Sequence, residues 1–231
     1  MATRKLNHLV RLSIQKFTLV TLLFWSLVAM FVALAGEVLE REPIRLDVWV
    51  LETIHAYANP TLDRLMIVIT TFGSTLVIIA ITLAIMGFLA WRGRWRQLVM
   101  FGLIAIGATG MNAILKQIFQ RSRPSFWQAL VVEKSYSFPS GHAMASSALV
   151  FAVIVILWRT KWRWPAIIAG GVYAGLVGLS RLYLGVHFPT DILAAWCVSL
   201  AWALIVYRYL QPGTGVSRSL EAVQQKLLRK T

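Results

Sequence analysis

The sequence is poor in cysteine and in acidic residues. Its 231 residues include one cysteine, Cys197, so no disulfide can form within the chain, and cysteine usage says nothing about the redox compartment. Only 9 residues are acidic, against 23 lysines and arginines, which gives a formal net charge of +14. No polar stretch is long enough for a large soluble domain, and no convincing internal repeat supports an inverted-repeat transporter.

Apolar residues make up 58% of the chain, above the usual 45–50% or so of soluble proteins. A helix needs about 20 apolar residues to cross the hydrocarbon core of a bilayer. The apolar residues fall into six blocks, which predict an all-α, polytopic membrane protein with six transmembrane helices. The predicted spans are Phe17–Ala35, Leu65–Ala90, Leu98–Leu115, Ala143–Trp158, Pro165–Leu179 and Ile192–Tyr209. We expect the first to be retained, because its apolar run exceeds the roughly 7–15 residues of a signal-peptide core.

The basic residues are distributed unevenly between the two sides of this layout. With the N-terminus inside, the inner segments hold fifteen basic residues and one acidic residue, Glu221, so the whole net charge lies on one side. The positive-inside rule therefore predicts cytoplasmic N- and C-termini in the cell membrane. A basic excess near anionic headgroups is ordinary membrane electrostatics, so the charge does not indicate a nucleic-acid partner.

We predict a single membrane domain over residues 1–231. It comprises a basic cytoplasmic N-terminus (1–16), a six-span bundle (17–209) and a cytoplasmic tail (210–231), for which a surface helix is favoured over disorder. The sequence gives no information about the oligomeric state.

The first outer loop is long and contains a helical pattern. Leu46, Val50, Ile54 and Tyr57 recur at near-helical spacing, which predicts a short amphipathic helix at the outer interface. His55 lies in this segment, and we expect it to be solvated and without a role.

Two further features of the spans predict packing. Gly170, Ala174 and Gly178 lie four residues apart in the fifth span, a spacing that allows close helix approach. Asn112 in the third span is expected to bond to another helix.

Three polar stretches meet the outer face in this layout: "KQIFQRSRP", "SFPSGHAM" and "SRLYLGVHFPTD". They supply three cations, Lys116, Arg123 and Arg181, and the planar fork of arginine suits a phosphate group. Pro124 disfavours helical geometry at Arg123, so the helix should end earlier and Arg123 can turn inward.

The second stretch predicts an anion site at a helix N-terminus. Ser140 stands where an N-cap would, and the backbone N–H groups of Gly141 and His142 open the next helix. Gly141 lets an oxyanion approach with no side chain in the way. Together with the three cations, these donors form a cage for a tetrahedral dianion.

The third stretch adds a paired histidine and carboxylate. Asp191 can accept from one ring nitrogen of His187 and leave the other with a free lone pair, the arrangement that an imidazole nucleophile needs. His142, from a different helix end, can act as a general acid. We expect no catalytic metal, because three cations would repel a divalent ion and no carboxylate cluster accompanies the histidine.

These motifs resemble those of the type 2 phosphatidic-acid phosphatase superfamily of integral membrane lipid phosphatases. Its signatures are Lys-x6-Arg-Pro, Pro-Ser-Gly-His and Ser-Arg-x5-His-x3-Asp, and all three are complete and in order between residues 116 and 191. The stretch "SYSFPSGHAM" is most similar to the bacterial phosphatidylglycerophosphatase B type.

The resemblance implies a role for each site residue. His187 would form a phosphohistidine, Asp191 would orient it, and His142 would protonate the leaving group, with no cofactor. The phosphoryl oxygens would be held by Lys116, Arg123, Ser140, Gly141 and Arg181. The implied substrates are membrane lipids: phosphatidylglycerol phosphate, undecaprenyl pyrophosphate, phosphatidic acid or diacylglycerol pyrophosphate.

Two alternative functions stay open at this point. A lipid-linked phosphotransferase would use the same histidine chemistry. An anion or lipid-phosphate transporter would use the basic cage for binding, although spans nearly free of ionisable groups count against it.

Overall fold

The computed structural model describes residues 2–40, 42 and 44–211, with side chains from residue 18 onward. In this part of the chain all regular secondary structure is helical, so the all-α prediction is confirmed. The predicted basic segment, residues 1–16, lies outside the residues whose side chains are described. Residues 212–231 of the predicted tail lie outside the described residues altogether. The helices are α1 (Ala2–Leu39), α2 (Arg45–His55), α3 (Pro60–Phe72), α4 (Thr75–Trp91), α5 (Trp95–Phe119), α6 (Gly141–Leu157), α7 (Arg163–Tyr183) and α8 (Pro189–Leu210).

Several of these helices are long and apolar enough to cross a membrane. Four pass by length and composition, namely α1, α5, α7 and α8, and α3 with α4 makes a fifth candidate. Helix α6 is apolar but has only 17 residues. The chain is therefore a multi-pass membrane protein, while the count of six spans and their orientation stay predictions.

The second predicted span, Leu65–Ala90, is divided into two helices that meet at an angle of 40°. Helix α3 ends against Gly73, and extended backbone at Ser74 separates it from α4. A Cβ at Gly73 would lie 2.5 Å from Cγ1 of Val177, so glycine allows the end of α3 to approach α7. The run from Leu65 to Ala90 crosses this break without a charged residue, and hydropathy alone therefore merged the two helices.

Helix α6 is the centre of the bundle and packs against α5, α7 and α8. A helix that is apolar on all sides belongs inside a protein, and most of the first three turns of α6 are buried. A Cβ at Gly170 of α7 would lie 2.5 Å from Cγ1 of Val150, and one at Gly178 would lie 2.9 Å from Cγ2 of Ile192. The predicted close packing of the fifth span is therefore confirmed.

Helix α2 confirms the short helix predicted in the first outer loop, but its buried face differs from the predicted stripe. Asp47 and Leu51 are buried, whereas Leu46 and Tyr57 are exposed. The exposed ring of His55 stacks on Trp127 with 3.9 Å between ring centroids, so this histidine is not simply solvated.

The helix ends divide into two groups at opposite ends of the bundle. Arg96 donates a 3.1 Å hydrogen bond to the carbonyl of Leu210, which places the start of α5 beside the end of α8. The end of α5 and the starts of α6 and α8 therefore meet at the other end, where the polar stretches lie.

Candidate active site

Hydrogen bonds join the three polar stretches directly. The amide N–H of Ser140 donates to the carbonyl of Asp191 at 3.2 Å, which ties the start of α6 to the start of α8. The amide N–H of Ser137 donates to the carbonyl of Arg121 at 2.8 Å, which joins the first stretch to the second. The side-chain amide of Asn112 in α5 donates to the carbonyl of Pro139 at 3.1 Å and to Sδ of Met144 in α6 at 3.5 Å, so the predicted bond to another helix is confirmed. The predicted convergence of the three stretches is therefore present in the fold.

Arg123 reaches the site because α5 ends before it. The helix ends at Phe119, and Gln120 follows in the left-handed region with φ of 43°. Arg123 then donates from Nε to the carbonyl of Ser135 at 2.8 Å and from Nη1 to the carbonyl of Val186 at 2.7 Å. These carbonyls fix the guanidinium beside the α7–α8 connection.

His187 and Asp191 form a buried pair at the start of α8. The ring Nδ1 lies 3.1 Å from Oδ2 of Asp191, and Nε2 lies 3.1 Å from Nη1 of Arg123. The same carboxylate oxygen accepts from the backbone N–H of Phe188 at 2.9 Å and from the hydroxyl of Ser137. A ring that donates from Nδ1 to Asp191 carries its lone pair on Nε2, facing the cations.

The charge state of His187 follows from its surroundings. The side chain is 1% exposed, and burial lowers its pKa below the usual value. Arg123 and Arg181 act in the same direction, while Asp191 opposes them. Burial and the two arginines therefore favour the neutral imidazole, the form that carries a lone pair on one ring nitrogen.

Arg181 lies behind the cavity wall. It is 1% exposed, donates from Nη1 to the hydroxyl of Thr70 at 2.8 Å, and pairs through Nη2 with Glu133. Its Nε is buried and has no hydrogen-bond partner among the described residues.

Glu133 was not singled out by the sequence, although it lies among the cations. Its carboxylate approaches Nη2 of Arg123 at 3.8 Å and Nδ1 of His142 at 4.0 Å. Burial raises the pKa of Glu133, but attraction to Arg181, Arg123 and His142 outweighs it and lowers the pKa overall. The guanidinium groups therefore already contact one anion supplied by the chain.

The remaining predicted residues lie around the start of α6. Lys116 donates from Nζ to the carbonyl of Tyr136, and Ser140 caps α6 by accepting from the N–H of Ala143 at 3.4 Å. A Cβ at Gly141 would come within 3.9 Å of Cε of Lys116, which places the lysine beside the glycine backbone.

One cavity of about 1030 Å³ collects most of these groups. Five of the eight predicted site residues line it: Lys116, Arg123, Gly141, His142 and His187. The other three, Ser140, Arg181 and Asp191, are buried directly behind that lining.

The model of the PAP2 superfamily matches residues 97–214, which is about half of the chain and includes every predicted site residue. The chain belongs to the PAP2 superfamily. The family prediction from the sequence is thus confirmed.

Relatives of this PAP2 protein include a phosphatidylglycerophosphatase and an undecaprenyl-diphosphatase. It is 36% identical to phosphatidylglycerophosphatase B of Bacillus subtilis over 64% of this chain and 75% of that protein. It is 30% identical to the undecaprenyl-diphosphatase of Sulfolobus acidocaldarius over 77% of this chain and 83% of that protein. The crystal structure of a transmembrane PAP2 type phosphatidylglycerolphosphate phosphatase from Bacillus subtilis matches with a TM-score of 0.74 and 28% identity, covering 83% and 98% of the two chains.

Two more residues of this PAP2 protein reach the His187–Asp191 pair and were missed by the sequence reasoning. Arg121 bridges Asp191 and Asp47 at 2.6 and 2.8 Å, and both carboxylates are fully buried. Asp47 lies in α2, outside the family match, so no motif pointed to it. The available signal was its spacing, because Asp47 precedes Leu51 by one helical turn and so shares the buried face.

Proposed function

We propose that this protein removes the terminal phosphate of a lipid phosphate or pyrophosphate through a phosphohistidine on His187. Membership of the PAP2 superfamily, with relatives named phosphatidylglycerophosphatase and undecaprenyl-diphosphatase, makes the chain a phosphatase of lipid phosphates. The observation that carries the mechanism is the placement of His187, whose two ring nitrogens lie 3.1 Å from Asp191 and from Arg123.

In the first step, Nε2 of His187 forms a bond to phosphorus as the bond to the leaving oxygen breaks. Nδ1–H donates to Asp191 throughout, so the carboxylate stabilises the positive charge that the ring gains. His142 gives a proton to the leaving oxygen. Lys116, Arg123 and Arg181 and the N–H groups at the start of α6 stabilise the charge on the equatorial oxygens, with Ser140 holding that turn in place.

In the second step, water attacks the phosphohistidine and His142 accepts a proton from it. The products are inorganic phosphate and the regenerated imidazole. The two steps need no metal ion, because lysine and arginine side chains supply the positive charge.

The lipid chains enter beside α4 and α5 in this proposal. The cavity wall continues from the cationic groups to Ile78 and Ile79 of α4 and to Ala113 of α5. An apolar wall next to a cationic cage suits a headgroup phosphate that still carries its chains. Phosphatidylglycerol phosphate and undecaprenyl pyrophosphate are the first candidates, followed by phosphatidic acid and diacylglycerol pyrophosphate.

The phosphatase site faces the extracytoplasmic side in this proposal. The basic turns α4–α5 and α6–α7 lie at the opposite end of the bundle from the cavity. The positive-inside rule assigns those turns to the cytoplasm.

Phosphate release from a panel of purified lipids, assayed in detergent with a chelator present, tests the function. We expect wild-type protein to release phosphate from at least one lipid phosphate or pyrophosphate, and His187→Ala to release none while still inserting. His55→Ala is the matched control, because this histidine lies on α2 away from the cavity lining. Substantial turnover by His187→Ala would refute the assigned nucleophile, and chelator-sensitive release would refute the metal-independent mechanism.

A further inference from the structure

The catalytic carboxylate of the proposed mechanism is itself held by a second, buried ion pair. Nη1 of Arg121 lies 2.6 Å from Oδ1 of Asp191, the oxygen that does not face His187. Nη2 of the same guanidinium lies 2.8 Å from Oδ2 of Asp47. The four side chains thus form a continuous chain of contacts from α2 to the imidazole.

Asp47, at the end of this chain of contacts farthest from His187, is hydrogen-bonded to the start of α8. Asp47 accepts from the backbone N–H of Thr190 at 3.0 Å and from its hydroxyl at 2.6 Å. The guanidinium of Arg121 also stacks on the ring of Phe188, with 4.1 Å from Cζ to the ring centroid. Arg121 is therefore held in one orientation by both carboxylates and by an aromatic face.

We propose that Asp47 and Arg121 are positioning residues for the His187–Asp191 pair, an inference that rests on the proposed function. When Nε2 bonds to phosphorus and the leaving oxygen takes the electron pair, the ring becomes positively charged, and Asp191 must stabilise it. A guanidinium facing Asp191 alone would compete for that carboxylate. Asp47 shares the charge of Arg121, so Asp191 is oriented by the arginine and still available to the ring.

A purely structural role predicts a different outcome. Buried ion pairs often contribute little net stability, whereas removing one partner destabilises the fold. A structural bridge would therefore affect the amount of folded protein and leave the turnover of folded protein unchanged. A positioning role lowers kcat at unchanged KM, because the affected interaction strengthens only as the ring gains charge.

The first test is steady-state kinetics of Asp47→Asn and Arg121→Lys on the lipid that the wild type hydrolyses best. Asparagine removes the charge of Asp47 at the same size, and lysine keeps the charge of Arg121 but cannot span two carboxylates. We expect kcat to fall by about 10–100-fold with KM unchanged, by analogy with the loss found when the hydrogen-bond partner of a metal-bound histidine is removed. Unchanged kcat in folded Asp47→Asn would overturn the proposal.

Asp63→Asn is the control for neutralising a hydrogen-bonded, half-buried acid elsewhere in the bundle. Its carboxylate accepts from the hydroxyl of Tyr183 at 2.7 Å and makes no contact with Arg121 or Asp191. We expect its kcat to stay near that of wild type. If Asp47→Asn does not fold, Thr190→Val removes the hydroxyl that donates to Asp47 and accepts from Nη1 of Arg121, without changing any charge. A smaller fall in kcat is expected for this variant.

A double-mutant comparison with Asp191 shows whether Asp47 acts through that carboxylate or affects the whole protein. In an Asp191→Asn background, adding Asp47→Asn should cost little further activity, because the group it acts through is already gone. If Asp47→Asn lowers activity in the Asp191→Asn background by the same factor as in wild-type protein, the proposal is overturned.

The hydrogen bond itself gives a readout that does not depend on turnover. We expect the Nδ1–H proton of His187 to resonate far downfield in wild-type protein and to move upfield in Asp47→Asn. If that shift occurs but wild-type protein hydrolyses no lipid phosphate, the proposed function fails and the positioning role stands. If wild-type protein is active and neither the resonance nor kcat changes, the positioning role fails alone.

Discussion

Arg123 and Arg181 contribute to the site from different depths. Arg123 lines the cavity and contacts His187, whereas Arg181 lies behind the lining and is paired with Glu133. The carboxylate of Glu133, which pairs with Arg181, lines the same cavity as Arg123. A charge-assisted hydrogen bond is stronger than a neutral one, and its effect grows in a site that excludes water.

Arg123→Ala and Arg181→Ala should therefore each lower kcat/KM strongly. Each variant loses one or two such bonds to the transition state, which should cost about 2–4 kcal/mol of transition-state stabilisation. This corresponds to a fall in kcat/KM on the order of 30–1,000-fold. The measurement is phosphate release with the preferred lipid, with the unfolding midpoint in detergent as a control for folding. Near-normal kcat/KM in either variant would refute the role of that arginine.

The neutral state of His187 predicts a particular dependence on pH. Because burial lowers its pKa, the folded protein resists protonating a ring that an unfolded chain would protonate below about pH 6.5. The stability from this neutral ring is therefore present above that pH and lost as the pH falls below it.

Histidine-selective NMR of the detergent-solubilised protein checks this dependence. We expect the His187 resonances, assigned by their loss in His187→Gln, to show a neutral ring at pH 6. The same variant should show a smaller drop in unfolding midpoint between pH 7 and pH 5 than wild type. An imidazolium at pH 7 would contradict the account.

At the scale of helices, the packing of α7 on α6 depends on which glycine faces the partner. A Cβ at Gly170 would lie 2.5 Å from Val150, whereas one at Gly171 meets nothing within 4 Å. These neighbours form a matched pair, because alanine changes helix propensity equally at both positions.

We expect Gly170→Ala to be less stable than Gly171→Ala by about 1–3 kcal/mol, the usual cost of overpacking a helix contact. Thermal unfolding in detergent measures the difference. Adding Val150→Ala to Gly170→Ala should restore most of the loss, since it removes the methyl groups that the new Cβ meets. Equal unfolding midpoints for the two alanine variants would contradict the packing described for this interface.

Local sequence patterns predicted most of the helices and much of the site. The apolar blocks located every long helix, and Pro124 and Ser140 marked where α5 ends and α6 begins. The break at Gly73 was missed because hydropathy does not record a change in helix direction. The buried face of α2 was assigned wrongly because the ion pair of Asp47 with Arg121, a partner 74 residues away in the sequence, decides which side faces inward.

Residues outside the motifs were the harder part of the site. Glu133 lies in the connection between α5 and α6, where no periodicity places a side chain. Its proximity to Arg181 depends on how that connection folds over the start of α6. A single sequence carries no signal for such a contact.

At the scale of the whole molecule, charge and site geometry make one prediction about orientation. The basic turn between α4 and α5 lies at the opposite end of the bundle from the cavity, so the two ends should face opposite sides of the membrane. The single native cysteine, Cys197, is buried and can be replaced by serine.

In the Cys197→Ser variant, a single new cysteine shows which side of the membrane each end of the bundle faces. Lys134→Cys lies near the cavity, and Arg92→Cys lies at the basic end. We expect a membrane-impermeant thiol reagent to label Lys134→Cys in intact cells and Arg92→Cys only after permeabilisation. The reverse pattern would place the site on the cytoplasmic side.

The most direct test of the whole account is to trap the intermediate. Wild-type protein and His187→Ala would be mixed briefly with a lipid phosphate labelled at its terminal phosphorus, in the presence of a chelator, and quenched in alkali. We expect an acid-labile, alkali-stable phosphate on the peptide that contains His187, and none in the variant. Label on another residue, or efficient turnover with no labelled protein under single-turnover conditions, would contradict the proposed mechanism.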